Sequence, residues 1–431
     1  MFLKEYINNI KTDNDFFKNK SWLNTESLIE HFEEKKIPSS ASEEWKNFRT
    51  TELSQINWEI PKSNRENIIN EEVKKIKNSI ILRNGFFDSE LSTFSDQDGI
   101  NVNSIEVYLQ KNPDFIKSLY NNPSKYAENR LSVLCDEKPT SLLSLNALLN
   151  NGIVVEIEAK KKISETINIV NASYSNKEDL LINPYIILIC NDGSEVDIKE
   201  VYFNNNCWTN AFLEAYIEPS ANLSFSRVQK SMNNSIKTAS FNCHLKKDSK
   251  LNLKVYNRER SKEDIRIFLK EENACANVSG IVVSSAKEES DIFCKIVHEA
   301  SLTNSDQKWR LLSAEKSKTS INGKIRVNKG AKKSNASFSS KSLILDKGAS
   351  SFSKPELEIL EDDVKCKHGA AFGEIDKNTV FFMQSRGIKK EDAIIMLVYA
   401  FINEISNTAK FFHDDVVKEV EKFFEKVNVN E

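Results

Sequence analysis

The sequence predicts a mainly β protein, a solenoid of stacked short strands held between two helical segments. Three observations carry that reading. From Ile153 onward, for about two hundred residues, short apolar or alternating runs follow one another with no helical pattern of convincing length between them. The turns between these runs share one composition, small or acidic residues just before a strand, recurring at intervals of about 18 to 28 residues. On either side of this region, apolar residues recur at three- and four-residue spacing, which is the period of a helix.

The first third supplies the leading helices. FLKEYINNI and TESLIEHFEEKK carry the helical spacing, and Ser27 followed by Glu30 has the interval of a capping box. The stretch from Ser39 to Leu53, SSASEEWKNFRTTEL, combines Trp45 and Phe48 with charges. It reads either as a ligand patch or as an aromatic anchor packing a loop onto the body, and the tendency of large aromatics to bury favours the anchor. NIINEEVKKIKN and NPDFIKSLYNN continue the helical pattern. KPTSLLSLNALLNNG opens at Thr140 or Ser141 and closes at Gly152, the residue type that most often ends a helix. A mostly helical N-terminal domain over residues 1–152 follows.

The middle is all β. Runs such as VVEIEA, YIILIC, VDIKEVYF, LNLKVYN, IRIFLK, DIFCKIVH and INGKIRVN are strand-like, and NDGSEVDI, EPSANLSF, KKDSKLNL, EENACANV and NKGAKKSN are its recurrent turn-then-strand units. A β-sandwich would also give many short strands, at a tighter spacing of about 8 to 12 residues. The longer interval favours a solenoid, in which each coil stacks its apolar residues on the next. The core is assigned to 153–368.

Beyond Gly369 the sequence is helical again, giving a C-terminal domain over 369–431. GIKKEDAIIMLVYAFINEI places Ile394, Leu397, Val398, Phe401 and Ile405 on one stripe, and HDDVVKEVEKFFEKV repeats the pattern with Val416, Val420, Phe423 and Phe424. Such stripes ordinarily serve internal packing; two amphipathic helices at a terminus also suit docking of a partner. Arg386, Gly387 and Phe401 are the candidate docking residues.

Composition narrows the function. The 431 residues are 29% charged with a formal net charge of −3 and a pI near 6.1. Nucleic-acid binders usually show a clustered basic excess, so no nucleic-acid partner is expected. No apolar run approaches the roughly 18 residues that span a bilayer, the longest being AIIMLVYAFI. The start, MFLKEYINNIKTDN, has no charged region followed by an apolar one, and a cytoplasmic chain is expected. Seven cysteines form no C-x-x-C pair and no ladder, which predicts reduced, buried thiols and no disulfide framework. There is no phosphate loop, no dinucleotide fingerprint, no H-E-x-x-H and no G-x-S-x-G, so the chain is not expected to be an enzyme of those classes.

The chemistry-bearing stretch is EDDVKCKHGA, from Glu361 to Ala370. In an extended strand Cys366 and His368 leave the same face, because side chains alternate with a period of two. A soft sulfur and a borderline nitrogen donor suit zinc, copper or iron–sulfur chemistry better than magnesium or calcium. Two donors are too few for a closed site, so the remaining ligands must come from elsewhere, including another chain. A rival reading takes the triplet Glu361, Asp362 and Asp363 as the carboxylates of a solenoid carbohydrate-active enzyme, which needs paired acids and a basic partner at an open groove in a chain that is usually secreted. His298, beside Glu299, is expected to be structural, since neighbouring strand residues face opposite sides.

The run from Lys354 to Phe401, KPELEILEDDVKCKHGAAFGEIDKNTVFFMQSRGIKKEDAIIMLVYAF, resembles the C-terminal signature of the SufB/SufD family of iron–sulfur cluster assembly proteins. Its P-x-L-E-I, D-D-V-x-C-x-H-G-A, G-x-x-D and S-R-G-I elements stand in family order. EEWKNFRTTEL resembles the family's Trp-containing entry segment, SLNALLNNGIVVEI its lead into the solenoid, and IRIFLKEENACANVSGIVV an internal coil. Gly369 favours the SufD branch over the SufB branch. Lys367, where a small residue is common, and Tyr185, where an arginine is usual, depart from the pattern.

This resemblance implies a right-handed parallel β-helix core flanked by helical N- and C-terminal domains. It implies a non-catalytic scaffold subunit that pairs with SufB through the β-helix and binds the ATPase SufC through the C-terminal helices. It also implies iron, or a transient iron–sulfur cluster, at the interface shared with SufB, with His368 as a ligand and Cys366 either ligating or supporting the strand beside it.

Overall fold

A computed structural model describes residues 29–30, 32–33, 37–61, 71–94, 99–112, 141–149, 152–174, 179–230, 234–406 and 410–426. The helical runs expected at FLKEYINNI and NPDFIKSLYNN, with Ser27, Thr140, His31 and Cys135, lie outside the described residues. The described helices are α1 (Thr51–Gln55), α2 (Glu71–Lys74), α3 (Ile105–Lys111), α4 (Ser141–Leu149), α5 (Lys377–Gln384), α6 (Lys390–Ser406) and α7 (Lys410–Lys426). The early strands are β1 (Ser79–Arg83), β2 (Phe86–Phe87), β3 (Ile100–Ser104), β4 (Ile153–Ile157), β5 (Ile167–Tyr174), β6 (Leu180–Ile182) and β7 (Tyr185–Cys190). Then come β8 (Glu195–Asn205), β9 (Cys207–Ile217), β10 (Asn222–Gln229), β11 (Ile236–Leu245), β12 (Lys250–Arg258), β13 (Ser261–Leu269) and β14 (Cys275–Ser284). The series closes with β15 (Glu289–His298), β16 (Asn304–Ser313), β17 (Lys318–Val327), β18 (Asn335–Ile344), β19 (Ser350–Ile359) and β20 (Lys365–Glu374).

These strands form two sheets in a parallel solenoid of about seven turns. One sheet runs β2-β1-β5-β8-β10-β12-β14-β16-β18-β20; the other runs β19-β17-β15-β13-β11-β9-β7-β4-β3, with β6 on β9. Alternate residues of both sheets face one shared interior: Leu251, Leu253 and Val255 from β12 meet Ile265, Ile267 and Leu269 from β13. Cys190, Cys243 and Cys294 lie in that interior as small apolar groups, and burial pushes the Cys190 thiol up to about 12. The expectation of buried, reduced thiols holds for these three.

The turns account for the shared composition seen in the sequence. Ser220, Asp248, Asn273 and Gly330 all take positive φ, the left-handed conformation that small or locally hydrogen-bonding residues tolerate best. The coils overlap the upper part of the expected interval and run beyond it: side chains bonded between neighbouring coils lie 25, 29, 31 or 32 residues apart. The first third is less helical than expected among its described residues, since β1 and β3 extend the two sheets. At the other end β20 continues past His368 to Glu374 before α5 begins.

Trp45 and Phe48 are buried with Leu53, Trp58 and Trp208, as an aromatic anchor should be. Lys262 donates to the Glu44 carbonyl (2.9 Å) and stands over the Trp45 ring, fastening this segment to β13. The C-terminal stripe also packs internally. Val398, Ile402 and Ile405 of α6 and Val416, Val420 and Phe423 of α7 bury against Val228, Tyr256, Ile281, Val283 and Leu312 on the outer face of the first sheet. Val398, Ile402 and Ile405 of the stripe are thus covered by the chain's own solenoid, while Ile394 and Leu397 pack with Val380 and Met383 of α5. Among the described residues no helix is long and apolar enough to cross a membrane.

Candidate functional site

The last coil is built by β19, the turn from Leu360 to Val364, and β20. Cys366 stands beside Ala336 and His368 beside Phe338 in the register of β18 and β20. Ala336 and Phe338 both belong to the interior, so Cys366 and His368 share the inward face, as period-two alternation requires. Lys367 sits beside Ser337, on the opposite face. The departure at Lys367 thus leaves the pair intact.

Among the described residues no further coil covers this layer. Among the described residues β19 pairs only with β17, and β20 only with β18, leaving two ten-residue edges with unused backbone groups. Apolar side chains that a further coil would bury are exposed here: Leu357, Ile359, Leu360 and Phe372, the last at 53%. His368 is exposed with them, while Cys366 is half-buried against the interior cluster. Burial raises the Cys366 thiol above its ordinary pKa, which keeps it protonated in the isolated chain. No group of three or more His, Cys, Asp and Glu side chains comes together as a metal site among the described residues. Cys366 and His368 bring one sulfur and one nitrogen to the open edge.

The acidic triplet does turn chemistry. Glu361 accepts from the backbone N–H of Gly330 (2.8 Å), which holds its carboxyl below the usual range, and Asp363 accepts through its carbonyl from Lys333 (2.6 Å). His298 is buried between the hydroxyls of Thr303 and Ser305, both 2.8 Å away, and burial pushes its pKa down to about 4. It is structural, as expected.

The three docking candidates have different surroundings. Arg386 lies over the Phe382 ring at 3.7 Å. Gly387 has a φ of 85° and donates to the Gln384 carbonyl (2.9 Å), closing α5 with the left-handed residue that helix ends favour. Phe401 is half-buried on α6 beneath Arg310, against the solenoid. Sequence reading missed the exposed apolar residues of this domain, Phe381 (72%), Phe382 and Met396. The available signal was VFFMQ: Val380 and Met383 pack inward, so the two phenylalanines between them must face elsewhere.

Residues 173–401 match the profile described as "SUF system FeS cluster assembly, SufBD core domain". The chain belongs to the SufBD family. Residues 4–169 match the SufBD protein N-terminal region. Among relatives, the iron–sulfur cluster assembly protein SufD of Escherichia coli (strain K12) is 33% identical over 139 residues, 32% of this chain and 33% of that protein. A SufBD family protein of Synechocystis is 24% identical over 396 residues, covering 86% of this chain and 83% of its own length. Protein ABCI7, chloroplastic, of Arabidopsis thaliana is 26% identical over 230 residues, 52% of this chain and 48% of its own. The chain thus aligns over a third of the E. coli protein and about half of the plant one. It is a SufD-like member of an iron–sulfur cluster assembly family, and the solenoid carbohydrate enzyme finds no support.

Proposed function

We propose that this SufBD protein is a non-catalytic scaffold subunit of the SUF system. In this reading it pairs with SufB through the open end of its solenoid and binds the ATPase SufC through its C-terminal helical domain. The observation that carries the proposal is the uncovered last coil. Two parallel edges and a layer of exposed apolar side chains are what the coil of a second solenoid would continue, by strand addition and burial together. Each apolar side chain fully buried there contributes about 1.5–3 kcal/mol before the cost of association is subtracted.

Iron or a nascent cluster is cargo at that interface. His368 supplies a neutral imidazole from this side and SufB supplies the ligands this chain lacks; Cys366 joins as thiolate or holds the strand beside it. ATP-driven approach of two SufC subunits would pull on the helical domains of both scaffold proteins and open the interface to iron and sulfur. The test is co-purification of the full chain with SufB and SufC. Phe372→Glu places a charge on the open layer and is expected to abolish recovery with SufB while SufC recovery persists. Undiminished SufB recovery would remove the solenoid-end interface.

A further inference from the structure

Cys366 and His368 occupy the same face of one strand, yet one sinks against the core and the other stands in solvent. Their neighbours one coil below differ in size. Ala336, fully buried, lies beside Cys366 and leaves room for the thiol to settle onto the interior. Phe338, 2% exposed, lies beside His368. Its ring crosses to the opposite sheet over Gly323, where an added Cβ would come within 1.9 Å of it. The ring therefore fills the interior width below the last coil and leaves no space for the imidazole to descend. Strands in a sheet are about 4.8 Å apart, so a residue's height is set directly by what its register neighbour fills.

We propose that Ala336 and Phe338 are positioning residues which decide that His368, and not Cys366, is the side chain presented to a metal-bearing partner. Phe338 props the imidazole into the interface; Ala336 draws the thiol out of it. Gly323 is the third member, since only a residue without a side chain lets the Phe338 ring lie where it does. The inference rests on the proposal that His368 is the ligand, but it concerns access, which can be read in the absence of metal.

The experiment compares two modification rates in the full-length chain alone, each followed by mass spectrometry: carbethoxylation of His368 by diethyl pyrocarbonate and alkylation of Cys366 by N-ethylmaleimide. Phe338→Leu is expected to slow His368 modification about threefold or more with Cys366 unchanged. Ala336→Val is expected to speed Cys366 alkylation by a similar factor with His368 unchanged. Phe338→Met is the milder variant if leucine leaves the chain unfolded, with the same direction expected. General loosening of the last coil would raise both rates together in every variant. That pattern, or no change in either rate, overturns the proposal. The result is independent of cluster content in the complex, which tests the ligand role itself.

Discussion

Arg258, buried where β12 turns into β13, donates through Nη1 to the backbone carbonyl of Glu419 on α7 at 2.8 Å. The same guanidinium lies 3.5 Å from the Glu419 carboxylate. Asp415, four residues earlier, receives both Lys199 and Lys230. These contacts fasten the helical domain to the solenoid beside the apolar cluster. Arg258→Ala removes a buried charged donor from Glu419, whose carboxylate keeps Lys422, and is expected to cost about 1.5–3 kcal/mol. Hydrogen exchange should show faster exchange in α7 with the solenoid strands unchanged.

Gly323 cannot take a side chain without displacing Phe338. Gly323→Ala is expected to destabilise the chain by about 1–3 kcal/mol, as overpacking does. Combining it with Phe338→Leu should recover part of that loss, because the collision then lacks its second partner. Urea-unfolding midpoints of the two single variants and the double variant check this.

Stability should fall with acid before the carboxylates titrate. Burial pushes His298 down to about 4, and burial together with nearby Lys270 pushes His244, stacked between Tyr216 and Phe268, down to about 3. A histidine whose folded pKa lies below its unfolded value of about 6.5 takes up its proton in the unfolded chain first. The stability from each neutral ring is therefore complete above about pH 6.5 and is lost as pH falls toward the folded value, by up to about 1.4 kcal/mol per pH unit for each group. His298→Gln should flatten the unfolding midpoint between pH 6.5 and 4 relative to the parent chain.

If SufC docks on the helical domain, the exposed phenylalanines of α5 are its most accessible apolar anchors, because the α6 and α7 stripes are already covered. Phe381→Asp with Phe382→Asp is expected to weaken SufC binding at least tenfold while leaving the unfolding midpoint within about 0.5 kcal/mol of the parent, as surface changes do. Titration calorimetry with purified SufC measures the first, and chemical unfolding the second.

Much of this architecture was legible because alternation and turn chemistry are local. Period two placed Cys366 and His368 on one face, and the small residues of the turns marked positions of positive φ. The coil length was legible only in part: the 25- and 28-residue steps from β12 to β14 and from β10 to β12 fall inside the expected interval, and the longer later coils do not. Neighbouring strands of opposite sheets meet at corners as short as the single residue Asn206, at a φ of 52°. The partner of the helical stripe was hidden because it is assembled from Val228, Tyr256, Ile281 and Leu312 on four different coils. Nor could the open end be seen. Ile325 and Leu357 are register neighbours with the same apolar character, yet Ile325 is buried and Leu357 is exposed, because among the described residues no strand stacks on β19.

The central claim, that the open end carries one side of a shared cluster site, is tested most directly by the iron and sulfide content of the reconstituted complex of this chain, SufB and SufC with His368→Ala. The expected result is an intact complex whose cluster content falls to about a tenth or less of the parent, in keeping with the 10–100-fold losses that follow disruption of metal-site residues. An intact complex with the parent's full cluster content would contradict the account.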